Sequence, residues 1–209
     1  MKLAVHNIKG KETKKQISLS KDIFGVEPNN HAIYLDVKQF LASQRSGTHK
    51  TKGRSEVKGS RRKLRKQKGS GAARVGDIKN PLFRGGGRVF GPQPRNYGFK
   101  INKKVKRIAR KSALSCKAKD KSIIILEDFS FDQPSTRSYN SFLSSFNLID
   151  SKTVLVMSNS NRNILLSSRN LKNSRVVLAS ELNTYDVMNA NKLMFTESSV
   201  SEIEKIFNN

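Results

Sequence analysis

Asn80 to Tyr97 read NPLFRGGGRVFGPQPRNY, with Arg84, Arg88 and Arg95 set among Phe83, Phe90 and Tyr97 and no acidic residue. The stretch carries too much charge for a core and too much Gly and Pro for a helix. Guanidinium forks hold phosphate oxygens through paired hydrogen bonds, and aromatic rings stack on bases. Gly85, Gly86 and Gly87 let the backbone take positive φ and let a large partner come close. This is chemistry of recognition, not of bond-making. A solvated linker rarely carries so many rings, so a partner is implied.

The same chemistry continues on both sides. Arg45, Lys50, Lys52, Arg54, Lys58, Arg61, Arg62, Lys63, Arg65, Lys66, Lys68, Arg74 and Lys79 precede the stretch, and Lys103, Lys106, Arg107 and Arg110 follow it. From Arg45 to Arg95 sixteen basic residues face only Glu56 and Asp77, a local +14. Asn96 to Lys111 adds seven more with no acid, so +21 of the chain's +25 lies in one third of its length. Residues 112–209 are nearly neutral, with eleven basic residues against ten acidic. A polyanion is the complement of such a distribution. Lysine and arginine would neutralise phosphates while bases stack on Phe83, Phe90 or guanidinium planes. Gly69 and Gly71, like Gly85 to Gly87, let backbone amides face phosphate oxygens. RNA fits better than duplex DNA, because an irregular segment suits an irregular surface and offers no groove-reading helix.

Catalytic and metal chemistry finds no comparable support. KGSGAAR has the look of a phosphate nest, yet neither G-x-x-x-x-G-K-[ST] nor a G-x-G-x-x-G after a strand occurs. His6, His31 and His49 lack ligand spacing, and the single Cys116 excludes an internal disulfide or a cysteine-based zinc cluster. Glu127 and Asp128 end an apolar run, a place where open α/β sheets bind ligands, although capping is the more ordinary use of acids there. Cys116 reads as a small core residue. The expectation is a protein without catalytic activity, metal, cofactor or small-molecule substrate. The N-terminal MKLAVHNIKG has no apolar targeting region, and the longest apolar run, IIIL, is too short to span a membrane. An intracellular protein with no membrane partner is expected.

The elements that must carry this segment follow from periodicity. KSIIILED, KTVLVMS, SRVVLAS and KLMFT are apolar, β-branched runs suited to strands buried on both faces. Between and after them PSTRSYNSFLSSFNLI, NRNILLSSRNL, TYDVMNA and ESSVSEIEKIF have helical spacing, with Tyr139, Phe142, Leu143 and Phe146 on one face of the first. Strands alternating with helices predict an α/β fold with a parallel, doubly wound sheet and flanking helices. Earlier, KLAVHN and QISLS read as strands and NNHAIYLDVKQFLASQR as a helix capped near Asn29 or Asn30. NKKVKRIARKSALSCKAK predicts an amphipathic helix with Val105, Ile108, Ala109 and Cys116 on its apolar face and Lys103, Lys106, Arg107, Arg110 and Lys117 on its basic face. The expected organisation is a globular α/β domain of residues 1–44 and 96–209, with residues 45–95 inserted as a long extended loop. Each arm of that loop could reach at most ~80 Å at roughly 3.3 Å per residue. It has too little apolar area to fold by itself.

The central stretches RSGTHKTKGRSEVKGSRRK, RKQKGSGAARVGDIKNPLFRGGG, VFGPQPRNYGFKINKKVKRIARKSALSCKAK and IIILEDF together resemble the bacterial-type ribosomal protein L four family of the large subunit. The resemblance covers about residues 45–129, FGVEPNNHAIYLDVKQFLASQR also fits, and the last third agrees in pattern more than in motif. It implies a cytoplasmic protein residing in the ribosome, with a globular domain on the solvent side and a loop threaded into large-subunit ribosomal RNA. It also implies that the loop tip lines the nascent-peptide exit tunnel beside ribosomal protein L twenty-two. By position the tip is about Arg61 to Arg74, with Arg61, Arg62, Lys63, Leu64, Arg65, Lys66, Gln67 and Lys68 at the tunnel. Two departures from the family pattern stand there: Leu64-Arg65 replaces a Pro-Trp pair, and Ala72 replaces an arginine. Arg65 restores charge and offers a guanidinium plane for stacking. The rival reading is a nucleotide-using enzyme with a basic RNA-docking insertion, against which the missing phosphate fingerprint argues. Messenger binding by the free protein is a third reading left open.

Overall fold

In the computed structural model, which describes residues 1–208, the chain divides into two compact units, Met1–Leu41 with Lys100–Asn209 and Ala42–Phe99. Along the chain run β1 (Lys2–His6), β2 (Glu12–Ser18), α1 (Lys21–Phe24), α2 (Asn30–Ser43), α3 (Lys103–Lys119), β3 (Ile123–Leu126), α4 (Thr136–Ser145), β4 (Thr153–Met157), α5 (Arg162–Ser168), β5 (Ser174–Leu178), α6 (Thr184–Asn189), β6 (Lys192–Thr196) and α7 (Glu197–Asn208). The six strands form one sheet in the order β2-β1-β3-β6-β4-β5. Every pairing is parallel except β1 with β2, which is antiparallel. The expected α/β sheet with flanking helices is therefore present, with one antiparallel edge strand. That strand starts at Glu12, four residues before the expected QISLS run, because its exposed lysines hid it from an apolar search.

The central strands alternate between two cores, as the two-residue period of a pleated strand requires. Val154, Val156, Leu193, Phe195 and Ile125 face one side, with Ile23 and Phe24 of α1, Leu114 of α3, Val187 of α6 and Ile203 of α7. Leu155, Met157, Met194 and Leu126 face the other, with Tyr139, Phe142 and Leu143 of α4 and Ile164 of α5. Helices therefore cover both faces, which explains why these strands are nearly continuous apolar runs. Short polar residues start the helices: Asn29 Oδ1 accepts from Ala32 N at 3.0 Å and Asn183 Oδ1 from Asp186 N at 2.7 Å.

Helix α3 packs differently from the expectation. Ala109 is buried and Cys116 packs against the core as expected, but Ile108 is 48% exposed, and the buried stripe continues through Ser112, Ala113, Leu114, Ser115 and Ala118. Small residues let α3 approach closely, and two serines supply hydrogen bonds that a hydrophobic count does not register. Ser115 Oγ donates to Ile23 O at 3.0 Å and accepts from Val26 N, while Ser112 Oγ accepts from Asn29 N. These bonds fasten the segment between α1 and α2 onto α3.

Tyr139 gives a stability signature. Its ring is buried between α4 and the sheet, and its hydroxyl accepts from Ser174 Oγ at 2.9 Å. Burial pushes the phenol pKa from 10.0 up to about 12, with the Ser174 bond opposing the rise. The folded state therefore holds its proton in a window where the unfolded chain has released it, so stability falls as pH rises through that window. Two pKa units correspond to about 3 kcal/mol. Urea midpoints of the parent should drop between pH 10 and 12 by more than those of Tyr139→Phe, which has no proton to lose. Parallel curves for the two proteins would contradict the burial assignment.

Candidate nucleic-acid interface

Helix α2 ends at Ser43 and α3 starts at Lys103, and the residues between form neither helix nor strand. The Ala42–Phe99 unit is held instead by sparse bonds between its own arms. Arg95 N donates to Gly47 O at 3.2 Å, Thr51 N to Pro92 O at 3.1 Å, and Arg88 N to Lys52 O at 3.0 Å. Farther out, Leu64 N donates to Gly76 O at 3.0 Å.

Tyr97 organises the base of this unit. The guanidinium carbons of Arg45 and Arg95 lie 3.9 Å and 4.3 Å from its ring centroid, and His49 Nε2 lies 2.7 Å from its hydroxyl. Cation–π contacts at exposed sites contribute about 0.5–1 kcal/mol each. Residues 45, 49, 95 and 97 thus meet although about fifty residues separate the two ends. His49 has a structural role that its isolated position in the sequence did not reveal.

The triple glycine has two distinct roles. Gly85 takes φ +80, a conformation that costs side-chain-bearing residues strain. Gly86 and Gly87 lie against the chain itself: a Cβ on Gly86 would run into Asn80 O, and one on Gly87 would come within 2.5 Å of Arg54 Cα. The close approach expected for an external partner is, at these two positions, an approach of the chain to itself: Gly86 closes a turn onto Asn80 of its own arm, and Gly87 meets Arg54 of the other arm.

Fifteen of the sixteen cations from Arg45 to Arg95 are exposed, while Lys79 is buried at 8% exposure. Carboxylates engage only two of them among the described residues. Lys50 Nζ lies 2.6 Å from Glu56 Oε1, and Arg54 lies 2.8 Å from Asp77 Oδ1. The bond to Lys50 and a second from Gly53 N hold the Glu56 carboxyl below its usual pKa. Both acids of the region are thus occupied internally, and the remaining positive charge has no counterpart in the unit. Arg61, Lys63 and Arg74 line one cleft of about 400 Å³ together with Gln67. Phe90 is 100% exposed and Phe83 half-buried, so only the first presents a full face for stacking.

The cations of α3 divide. Lys103 and Arg107 are exposed, whereas Lys106 Nζ donates to Gln39 Oε1 at 3.1 Å and Lys117 Nζ to Ala190 O at 2.8 Å. Arg110 is half-buried beside Leu114, Leu182 and Ile203. Three of the five cations expected on a basic face are therefore tied into the α/β unit. Asp128 is occupied as well: its Oδ1 accepts from Ser198 Oγ at 2.6 Å and from Ser198 N at 3.3 Å, capping α7. Among the described residues no group of three or more His, Cys, Asp or Glu could hold a metal ion, and no helix is long and apolar enough to cross a membrane.

The sequence is similar to proteins of one family. The model of the Ribosomal protein L4/L1 family matches residues 17–206. Large ribosomal subunit protein uL4 of Christiangramia forsetii is 57% identical over 204 residues, covering 98% of each chain. The protein of that name from Flavobacterium johnsoniae is 55% identical over 205 residues, again 98% of each chain. That of Cytophaga hutchinsonii is 55% identical over 208 residues and 100% of both chains.

Proposed function

The chain belongs to the ribosomal protein L4/L1 family, and on that premise we propose that it is a structural constituent of the large ribosomal subunit without catalytic activity. Residues 45–95 are the RNA-threading segment, inserted in a globular domain of residues 1–44 and 96–209. Arginine, lysine and Phe90 of the segment meet phosphates and bases of large-subunit ribosomal RNA. Residues 61–68 line the peptide exit tunnel, with ribosomal protein L twenty-two as neighbour. The mechanism is counter-charge and wedging: the segment neutralises phosphates that repel one another and holds RNA strands in one arrangement. The observation that carries the reading is fifteen exposed cations on an irregular backbone whose two acids are already paired. A nucleotide-using enzyme would need a phosphate-binding loop in the α/β unit, and none follows its strands.

Filter binding to large-subunit RNA tests the proposal. Charge reversal of Arg84 and Arg88 to Glu should lower the slope of log affinity against log salt by about two, one per lost phosphate contact. Reversal of the exposed Arg137 and Arg162, at the starts of α4 and α5, should leave it unchanged. Equal losses from the two pairs would remove the segment as the main RNA contact.

A further inference from the structure

The nearly neutral part of the chain contains one concentrated patch of positive charge. Four of its eleven basic residues, Lys152, Arg169, Lys172 and Arg175, line a single groove of about 360 Å³. The groove lies where β4 and β5 begin, below the C-terminal ends of α5 and α6. Its volume falls within the range of about 300–1,000 Å³ typical of small-ligand sites.

The floor of the groove separates it from a solvated basic patch. Thr153 and Asp186 line it at 1% and 2% exposure. Asp186 Oδ1 is bound by Arg175 at 2.6 Å, but Asp186 Oδ2 and Thr153 Oγ1 have no hydrogen-bond partner. Buried polar atoms are nearly always satisfied, and an orphan carboxylate oxygen costs more than a neutral one. Burial raises the Asp186 carboxyl above its usual pKa, with Arg175 and the Asn183 bond opposing the rise. A ligand fitted to this site presents anionic oxygens to the rim and N–H donors to the floor. A phosphate alone satisfies only the first demand. A nucleotide whose base carries an exocyclic amine satisfies both.

We propose that the groove binds one unstacked nucleotide, its phosphate between Arg169, Lys172 and Lys152 and the amine of its base donating to Asp186 Oδ2. This rests on the RNA-binding function proposed above and adds a second, base-reading contact on the α/β unit. The same chemistry is offered by a free mononucleotide or by a flipped residue of RNA, and the test separates them.

Amide shifts of Thr153, Asn173, Ser174 and Asp186 in the full-length protein are followed during titration with inorganic phosphate, AMP, IMP, CMP, UMP and a short single-stranded RNA. AMP and CMP should saturate these shifts about tenfold more tightly than IMP and UMP, which place a carbonyl oxygen where the amine stands. The RNA should bind more tightly than any mononucleotide if its flanking phosphates use the rim; equal affinity identifies the free nucleotide as the ligand. Thr153→Val should weaken AMP binding several-fold yet melt no lower than the parent, because it removes an unsatisfied buried hydroxyl. Arg169→Glu with Lys172→Glu should abolish saturation. Phosphate binding as tightly as AMP, or shifts that never saturate, would overturn the proposal. Failure of the groove leaves the function proposed above standing when Arg84 and Arg88 reversal still weakens RNA binding. If that reversal is also silent, the RNA-binding reading falls with it.

Discussion

Deletion of residues 61–74 leaves the α/β unit folded and makes RNA binding far less sensitive to salt. The deleted stretch contains Arg61, Arg62, Lys63, Arg65, Lys66, Lys68 and Arg74, seven of the sixteen cations between Arg45 and Arg95. All of its side chains are exposed, and its one large apolar residue, Leu64, is not part of either core. The α/β fold therefore loses no core residue. RNA loses up to seven phosphate contacts, which lowers the slope of log affinity against log salt by about 5–6. Raising salt from about 50 to about 200 mM should then weaken the intact protein about a thousandfold more than the deletion variant. Filter-binding titrations at those salt concentrations, with far-ultraviolet circular dichroism as the folding control, give both readouts. An unchanged slope would mean that the tip touches no phosphate. Ribosomes carrying the deletion extend the test to the tunnel. Protection of tunnel RNA and affinity for tunnel-binding drugs should both change. If both match those of intact ribosomes at full incorporation, residues 61–68 do not line the tunnel.

Gly87→Ala should open the Ala42–Phe99 unit at its middle. The added Cβ would meet backbone: Arg54 Cα at 2.5 Å and Gly53 C at 2.8 Å, which no rotamer change can relieve. One arm must shift, and the bonds Arg88 N to Lys52 O and Gly87 N to Lys79 O lie at the point of contact. Overpacking of this kind costs about 1–3 kcal/mol, and each lost backbone bond adds about 1 kcal/mol. The cost appears in RNA binding, because a segment that must be re-ordered on its partner pays that ordering from the binding energy. Affinity should fall about 30-fold or more. Gly85→Ala is the comparison: no atom lies within 4 Å of its Cβ, so only the strain of φ +80 is felt, about 1 kcal/mol. Amide exchange at Arg88 should quicken in the first variant and stay slow in the second. Equal affinities for the two variants would show that the arms do not need this close approach.

The α/β architecture was legible because each central strand, such as IIIL or TVLVM, is a nearly continuous apolar run and is separated from the next by a segment of helical period. Burial on both faces leaves no other arrangement for such runs. The start of β2 was not legible, since an exposed edge strand needs no apolar residue. The packing face of α3 was misread at Ile108 for a related reason. Its contact is made by alanines and hydrogen-bonded serines, whose value depends on how closely another segment approaches.

The cationic, unpacked character of residues 45–95 was determined by the sequence itself: charge density, glycine and the lack of apolar periodicity are properties of composition and need no coordinates. Which cations remain available was decided only by tertiary structure. Lys79, Lys106 and Arg110 have the same residue types as Arg84 and Lys103, yet packing against neighbours distant in sequence buries or binds them. Tyr97 meets Arg45 and His49 only once the arms return to one base. The groove on the α/β unit has the same origin. Lys152, Arg169, Lys172 and Arg175 are ordinary surface residues in a neutral stretch until parallel pairing brings the starts of β4 and β5 side by side. Composition sets the total charge of a chain, but a site is a distance between charges, and long-range strand pairing sets that distance.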